Sequence, residues 1–163
     1  KQLRADIQRA VSLLNISTTI INVECRLGTN GKPYIMELSP RAGGNRVPEI
    51  VSLFSGTDII LNNVKAALGL PADNMTDPVY DSSYARIVLH SDKSGIFKSV
   101  QIDREIEEKY LIEKDLLVMP GDRVEAFKGA NKSLGLLFMH FPDIEVADDY
   151  LNRIKEWVHV EVE

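Results

Sequence analysis

The stretch NVECRLGTNGKPYIMELS, residues 22 to 39, constrains this chain more than any other. Residues 18 to 27, TTIINVECRL, alternate in character. Ile21, Val23, Cys25 and Leu27 fall on one face of a strand, and Asn22, Glu24 and Arg26 on the other. GTNGK and then PYIMELS follow, so the segment reads as an antiparallel hairpin with Asn30-Gly31 as a two-residue turn. That turn would pair 29 with 32, 26 with 35, and 24 with 37. Glu24 would then stand directly opposite Glu37, with side-chain bases about 4.5–5.5 Å apart. Asn22 and Ser39 come next on the same face. Like charges directly opposed destabilise a sheet, so something else is expected to hold them there. Two carboxylates flanked by an amide and a hydroxyl are all oxygen ligands, which hard divalent cations such as magnesium select. In phosphoryl-transfer sites two such ions sit about 3.5–4 Å apart, a span that opposed carboxylates can bridge. The bland alternative is a solvated hairpin face, where glutamates are common, and a longer turn would break the register.

The residues after Glu37 add to the case. Arg41 lies two residues beyond Ser39, where strand gives way to loop, and its fixed charged fork suits phosphate or carboxylate. Gly43 and Gly44 would let the backbone come close to a ligand and offer it amides. Taken singly, the arginine reads as a surface ion pair and the glycines as a turn; their contiguity is what favours a site.

Upstream, Leu3, Ile7, Val11 and Leu14 recur at helical spacing and mark an amphipathic helix over 2–14 that needs a partner sheet. Val47 to Phe54 reads as a short helix with Pro48 in its first turn. Thr57 is the expected N-cap of the next helix, DIILNNVKAAL, which Gly69 would end. Residues 70–83, LPADNMTDPVYDSS, read as a linker. Strands are expected over 84–91, 95–102, 115–119, 122–128 and 133–141. One helix through Ile144, Ala147, Leu151, Ile154 and Val158 and a closing strand, VHVEV, complete the pattern. The expected class is α+β, with a first domain over 1–75 and a β-rich module over 76–163.

Composition narrows the function classes. The 163 residues carry a net charge of -5 with mixed signs and no basic block, which argues against nucleic acid or an anionic membrane as partner. Apolar residues make up 44%, enough for a core, and no apolar run reaches membrane-spanning length. A single cysteine, Cys25, fits a reducing compartment, so a cytoplasmic location is expected. Lys1 already lies inside a helical pattern, without an initiator methionine, so a piece of a longer protein is expected.

Over residues 20–60, NVECRLGTNGKPYIMELSPRAGGNRVPEIVSLFSGTDII resembles the ATP-grasp superfamily at the second metal-binding strand pair of its ATP-binding domain. The family pattern there is a glutamate, a turn, then E-x-N-P-R and a glycine-rich continuation. The PRAGG…PEI…SG-D form is most similar to the carboxylate–amine ligases, including L-amino-acid ligases, and to carbamoyl-phosphate-synthase-like and biotin-carboxylase-like proteins. SGIFKSV, MPGDRV and a late G-x-L strand resemble, more weakly, the β-rich C-terminal module of the amino-acid ligase group. The resemblance implies Glu24 and Glu37 as magnesium ligands, Glu37 bridging two ions between ATP phosphates. It implies Arg41 as the catalytic residue that stabilises the transferring phosphoryl group, and Gly43 and Gly44 at the acceptor-substrate end. Ser39 replaces the family's asparagine, and a hydroxyl is the shorter, poorer ligand.

The implied cofactors are ATP and magnesium, or manganese in its place; the implied partners are a small-molecule carboxylate and an amine, with a homodimer as one arrangement. No phosphate-cradling loop of the G-x-x-x-x-G-K-[ST] or G-x-G-x-x-G kind occurs, so the chain by itself is expected to be inactive. Two alternatives stay open: a carbamoyl-phosphate-synthase-like or biotin-carboxylase-like enzyme, and a degenerate ligase whose module serves binding or dimerisation. His90, His140 and His159 show no metal or triad spacing and read as structural or surface residues.

Overall fold

A computed structural model describes residues 1–73 and 81–163 of the chain. It resolves into two compact units, Lys1–Asp77 and Pro78–Glu163. Of the expected linker, residues 74–80 lie outside the described ones.

The first unit runs α1 (Gln2–Leu13), β1 (Asn22–Leu27), β2 (Pro33–Ser39), α2 (Val47–Ser55) and α3 (Ile59–Ala67). β1 and β2 form an antiparallel two-stranded sheet. The apolar stripe of α1 lies toward β2, yet the helix buries no residue fully and leaves Leu14 at its end exposed. α2 begins with Pro48 in its first turn, where the missing N–H costs nothing, and ends at Gly56 in the left-handed region (φ 67°). The cap of α3 is Asp58 rather than Thr57: its carboxylate accepts from the Leu61 amide at 2.8 Å, one residue later than expected. Gly69 (φ 69°) follows the end of α3, as its sequence position suggests. The strand expected from residue 18 starts only at Asn22, leaving 18–21 outside the ladder.

The second unit is mostly antiparallel sheet. β3 (Ser83–Leu89), β7 (Gly135–Phe141) and β5 (Leu111–Leu116) make one sheet in the order β3-β7-β5. β6 (Arg123–Val124), β4 (Gly95–Ile102) and β8 (Val158–Val162) make another in the order β6-β4-β8. β7, GLLFMHF, is apolar at nearly every position because it is the central strand; of its residues only His140 is exposed. Leu137, Met139 and Phe141 from it meet Phe97, Tyr110 and Trp157 in the core.

Three expectations are corrected here. The strand expected over 115–119 begins earlier, at Leu111, directly after the short helix α4 (Arg104–Tyr110) formed by REIEEKY. The strand expected over 122–128 shrinks to Arg123–Val124 because later amides leave the ladder. Ala126 donates to Ser94 Oγ at 2.9 Å and Phe127 to the Ser91 carbonyl at 2.8 Å. The late helix is two, α5 (Ile144–Asn152) and α6 (Ile154–Trp157), broken at Arg153. The Tyr150 carbonyl, which a continuous helix would give to the Ile154 amide, instead accepts from Arg153 N at 3.2 Å and from the Trp157 indole at 2.8 Å.

Candidate metal and phosphate site

The hairpin places Glu24 opposite Glu37 and Asn22 opposite Ser39. It arrives there by a route the sequence reading did not foresee. The Gly28 amide donates to the Lys32 carbonyl at 2.8 Å and the Gly31 amide to the Gly28 carbonyl at 2.9 Å, so the loop holds Thr29, Asn30 and Gly31. Gly31 sits in the left-handed region (φ 73°) that such a loop needs at its last position. Cys25 consequently pairs with Ile35, Arg26 with Tyr34 and Leu27 with Pro33, one residue off the expected register. A bulge then admits Met36 as an extra residue, because the partner of Glu24 is Glu37 while that of Cys25 is Ile35. The loop shifts the register by one and the bulge restores it. Opposed glutamates are the result.

Both glutamates are solvent-exposed. The Ser39 hydroxyl donates to Glu37 Oε1 at 2.6 Å. Arg41 Nη2 lies 3.9 Å from the same oxygen, with both side chains more than half exposed (61% and 55%), so this pair contributes little to stability. Oε1 of Glu37 is therefore held from the C-terminal side, by Ser39 and Arg41. The Arg41 amide donates to the Ser39 carbonyl at 2.8 Å, a tight turn about Pro40 at the end of β2. Its Nη1 donates to the Ala42 carbonyl at 2.8 Å.

The glycine loop returns to the same place. A side chain at Gly43 would come within 3.0 Å of Asn22 Oδ1 and 3.1 Å of Val47 Cβ, so Gly43 allows the loop to lie against the first residue of β1. Nothing presses on Gly44: an added Cβ there would meet no atom within 4 Å. The loop closes through two consecutive left-handed residues, Asn45 (φ 52°) and Arg46 (φ 56°), a feature the sequence reading missed. Asparagine's tolerance for that region was the available signal for the first of them. Arg46 then pairs with Glu49 in the first turn of α2 at 3.2 Å. Asn22, Glu24, Glu37, Ser39, Arg41 and Gly43 thus gather at one end of the hairpin.

As a cation site this arrangement has a definite character. Among the described residues there is no group of three or more His, Cys, Asp or Glu side chains that could hold a metal by themselves. Two opposed carboxylates suit an ion that takes one or two protein carboxylates and completes its shell with phosphate oxygens and water, which is the habit of magnesium. The donor set fits that ion.

No family model matches the chain. It is 26% identical over 151 residues to the uncharacterized protein y4rH of Sinorhizobium fredii (strain NBRC 101917 / NGR234), an alignment covering 92% of this chain and 31% of that protein. Among solved structures, the L-amino acid ligase of Bacillus licheniformis matches with a TM-score of 0.82 at 18% identity, over 99% of this chain and 40% of that one. Phosphoribosylglycinamide synthetase of Anaerococcus prevotii matches at 0.74 and 18% identity, over 98% and 41%. Biotin carboxylase of Campylobacter jejuni, solved as a beta-gamma-ATP complex, matches at 0.65 and 16% identity, over 94% and 34%. The chain spans less than half the length of each of these proteins. At such identities the likeness establishes the fold.

Proposed function

We propose that this chain, which has the fold of the ATP-grasp ligases, is part of an ATP- and magnesium-dependent ligase that activates a carboxylate as an acyl phosphate for attack by an amine. One observation carries the reading: Glu24 and Glu37 face each other on an exposed face, contiguous with Ser39, Arg41 and Gly43. Opposed like charges are a cost with no structural return, and a bound cation removes it.

In this reading Glu24 and Glu37 hold magnesium, which when bound with ATP neutralises charge on the phosphates. Ser39 fixes the Glu37 carboxylate and stands beside Asn22 as a further oxygen donor. Arg41, exposed and always charged, stabilises the transferring phosphoryl group and the acyl phosphate. Gly43 and Gly44 leave the acceptor end open to the small-molecule carboxylate and amine. The activity belongs to the full-length protein in the cytoplasm, where further lobes supply the remaining nucleotide contacts.

The test is phosphate release against magnesium concentration in the full-length protein. Glu37→Gln keeps the shape and removes a carboxylate charge that would hold the cation, so turnover is expected to collapse; Glu24→Gln is expected to cost less. A Glu37→Gln enzyme as active as its parent at the same magnesium midpoint would return both glutamates to the solvated hairpin face.

A further inference from the structure

In the second unit, the end of β3 and the loop after it face the start of β8 and α6 across a cavity of about 480 Å³. That volume lies within the range of roughly 300–1,000 Å³ typical of small-molecule sites. Its walls are apolar: Ile87 and Leu89 from β3, Ile154 from α6, and Val158 and Val160 from β8. Among the described residues both strands are sheet edges, since β3 pairs with β7 and β8 with β4, and no further described strand lies between them.

The rim is cationic on a chain of net charge -5. Lys93 and Lys155 line it, and neither makes an ion pair among the described residues. Several other basic residues of the unit are engaged: Lys98 with Glu163 at 2.8 Å, Lys114 with Glu107 at 3.0 Å, Lys132 with Glu125 at 3.0 Å, and Arg153 with Asp149 and Glu156. His90 and His159, far apart in sequence, meet at the same rim. His90 is anchored there by its Nδ1, 3.2 Å from the Val88 carbonyl, and by packing on Phe127. Of the lining residues Asp92 is the acid, 85% exposed and 3.9 Å from His90 Nε2; Glu163 acts on Lys93 electrostatically but makes its ion pair with Lys98. Ser91 is buried and fixes the loop, its hydroxyl donating to the Lys93 carbonyl at 2.7 Å and accepting from the Lys93 amide at 3.2 Å.

We propose that this cavity binds a small amphipathic anion, its apolar body between β3 and β8 and its carboxylate or similar group between Lys93 and Lys155. The inference is independent of the hairpin site: it uses none of those residues and needs neither nucleotide nor metal. Apolar walls supply affinity by burying area, and unpaired ammonium groups select the sign of the charge.

Octanoate is the probe, with octylammonium and octanol as controls of equal chain length, added to the 163-residue chain and followed by amide NMR shifts. Saturable shifts centred on residues 87–93 and 154–160 are expected, with octanoate bound at least about tenfold more tightly than octylammonium. In the Lys93→Gln/Lys155→Gln double variant, two exposed changes that leave the fold alone, that preference should vanish while the weak octanol response stays. Equal binding of octanoate and octylammonium, shifts centred elsewhere, or no saturation would each overturn the proposal.

Discussion

Glu24 and Glu37 show how a single pair can be unfavourable for the fold and useful for chemistry. Glu37 has Ser39 and Arg41 against one of its oxygens, whereas Glu24 faces it with no such support. Without bound cation, Glu24→Gln should therefore stabilise the chain, by roughly 0.2–1 kcal/mol, the range for cross-strand pairs. Urea unfolding at low ionic strength measures this, and the gain should shrink as salt screens the pair. A second residue carries a pH signature. The Tyr150 hydroxyl is held above its ordinary pKa of 10.0, first by desolvation and then by its neighbour Tyr110. Its ring packs against Tyr110, Phe141 and Trp157. Because the folded state favours the neutral phenol, this stabilisation is complete below the ordinary value and is lost as pH rises through the folded one. Tyr150→Phe keeps the ring and removes the ionisation. The fall in urea midpoint between about pH 8 and pH 11 should be smaller in that variant than in the parent.

At the scale of elements, capping decides boundaries that periodicity leaves loose. α3 begins where Asp58 can accept the Leu61 amide, while Thr57 is tied instead to Ser55, whose Oγ accepts from the Thr57 amide at 3.3 Å. Asp58→Ala should cost about 1 kcal/mol of stability, and Thr57→Ala distinctly less, by urea unfolding. Much of the fold was legible because the signals were local. The alternation in β1, Pro48 at the start of α2, and the apolar run of β7 each state their element without reference to the rest. What was not legible depended on distant partners. Asn30-Gly31 suits a two-residue turn and equally the last two positions of a three-residue loop, and nothing nearby announces the bulge at Met36. The glutamate pairing inferred from the sequence agrees with the structure because those two irregularities cancel. Likewise, the break at Arg153 follows from the Trp157 indole taking the Tyr150 carbonyl, a contact invisible to a count of apolar spacing. The shared rim of His90 and His159 required knowing that the end of β3 and the start of β8 line one cavity.

For the molecule as a whole, the two units are unequally built. Among the described residues, the buried apolar side chains of Lys1–Asp77 are Pro48 and Ile59; the others, from Ile87 to Val162, belong to Pro78–Glu163. The first unit instead exposes Leu13, Leu14, Leu27, Met36, Leu68 and Leu70, each more than half exposed. A two-stranded sheet with one helix along it is marginal by itself, since a hairpin needs further strands or helices over its apolar face. The second unit has two three-stranded sheets around a continuous core that includes Trp157. Unfolding of the chain should therefore depart from a two-state transition. Amides of β1 and β2 should exchange with solvent through low-energy openings, while those of β7 should exchange only with global unfolding. Trp157 fluorescence should accordingly report a urea midpoint above the one read from hairpin amides by hydrogen exchange. Coincident midpoints would mean that the hairpin draws its stability from the larger core. Such coupling would let a ligand at the cavity in the second unit stabilise Glu24 and Glu37 in place, whereas independent units would leave the two sites thermodynamically separate.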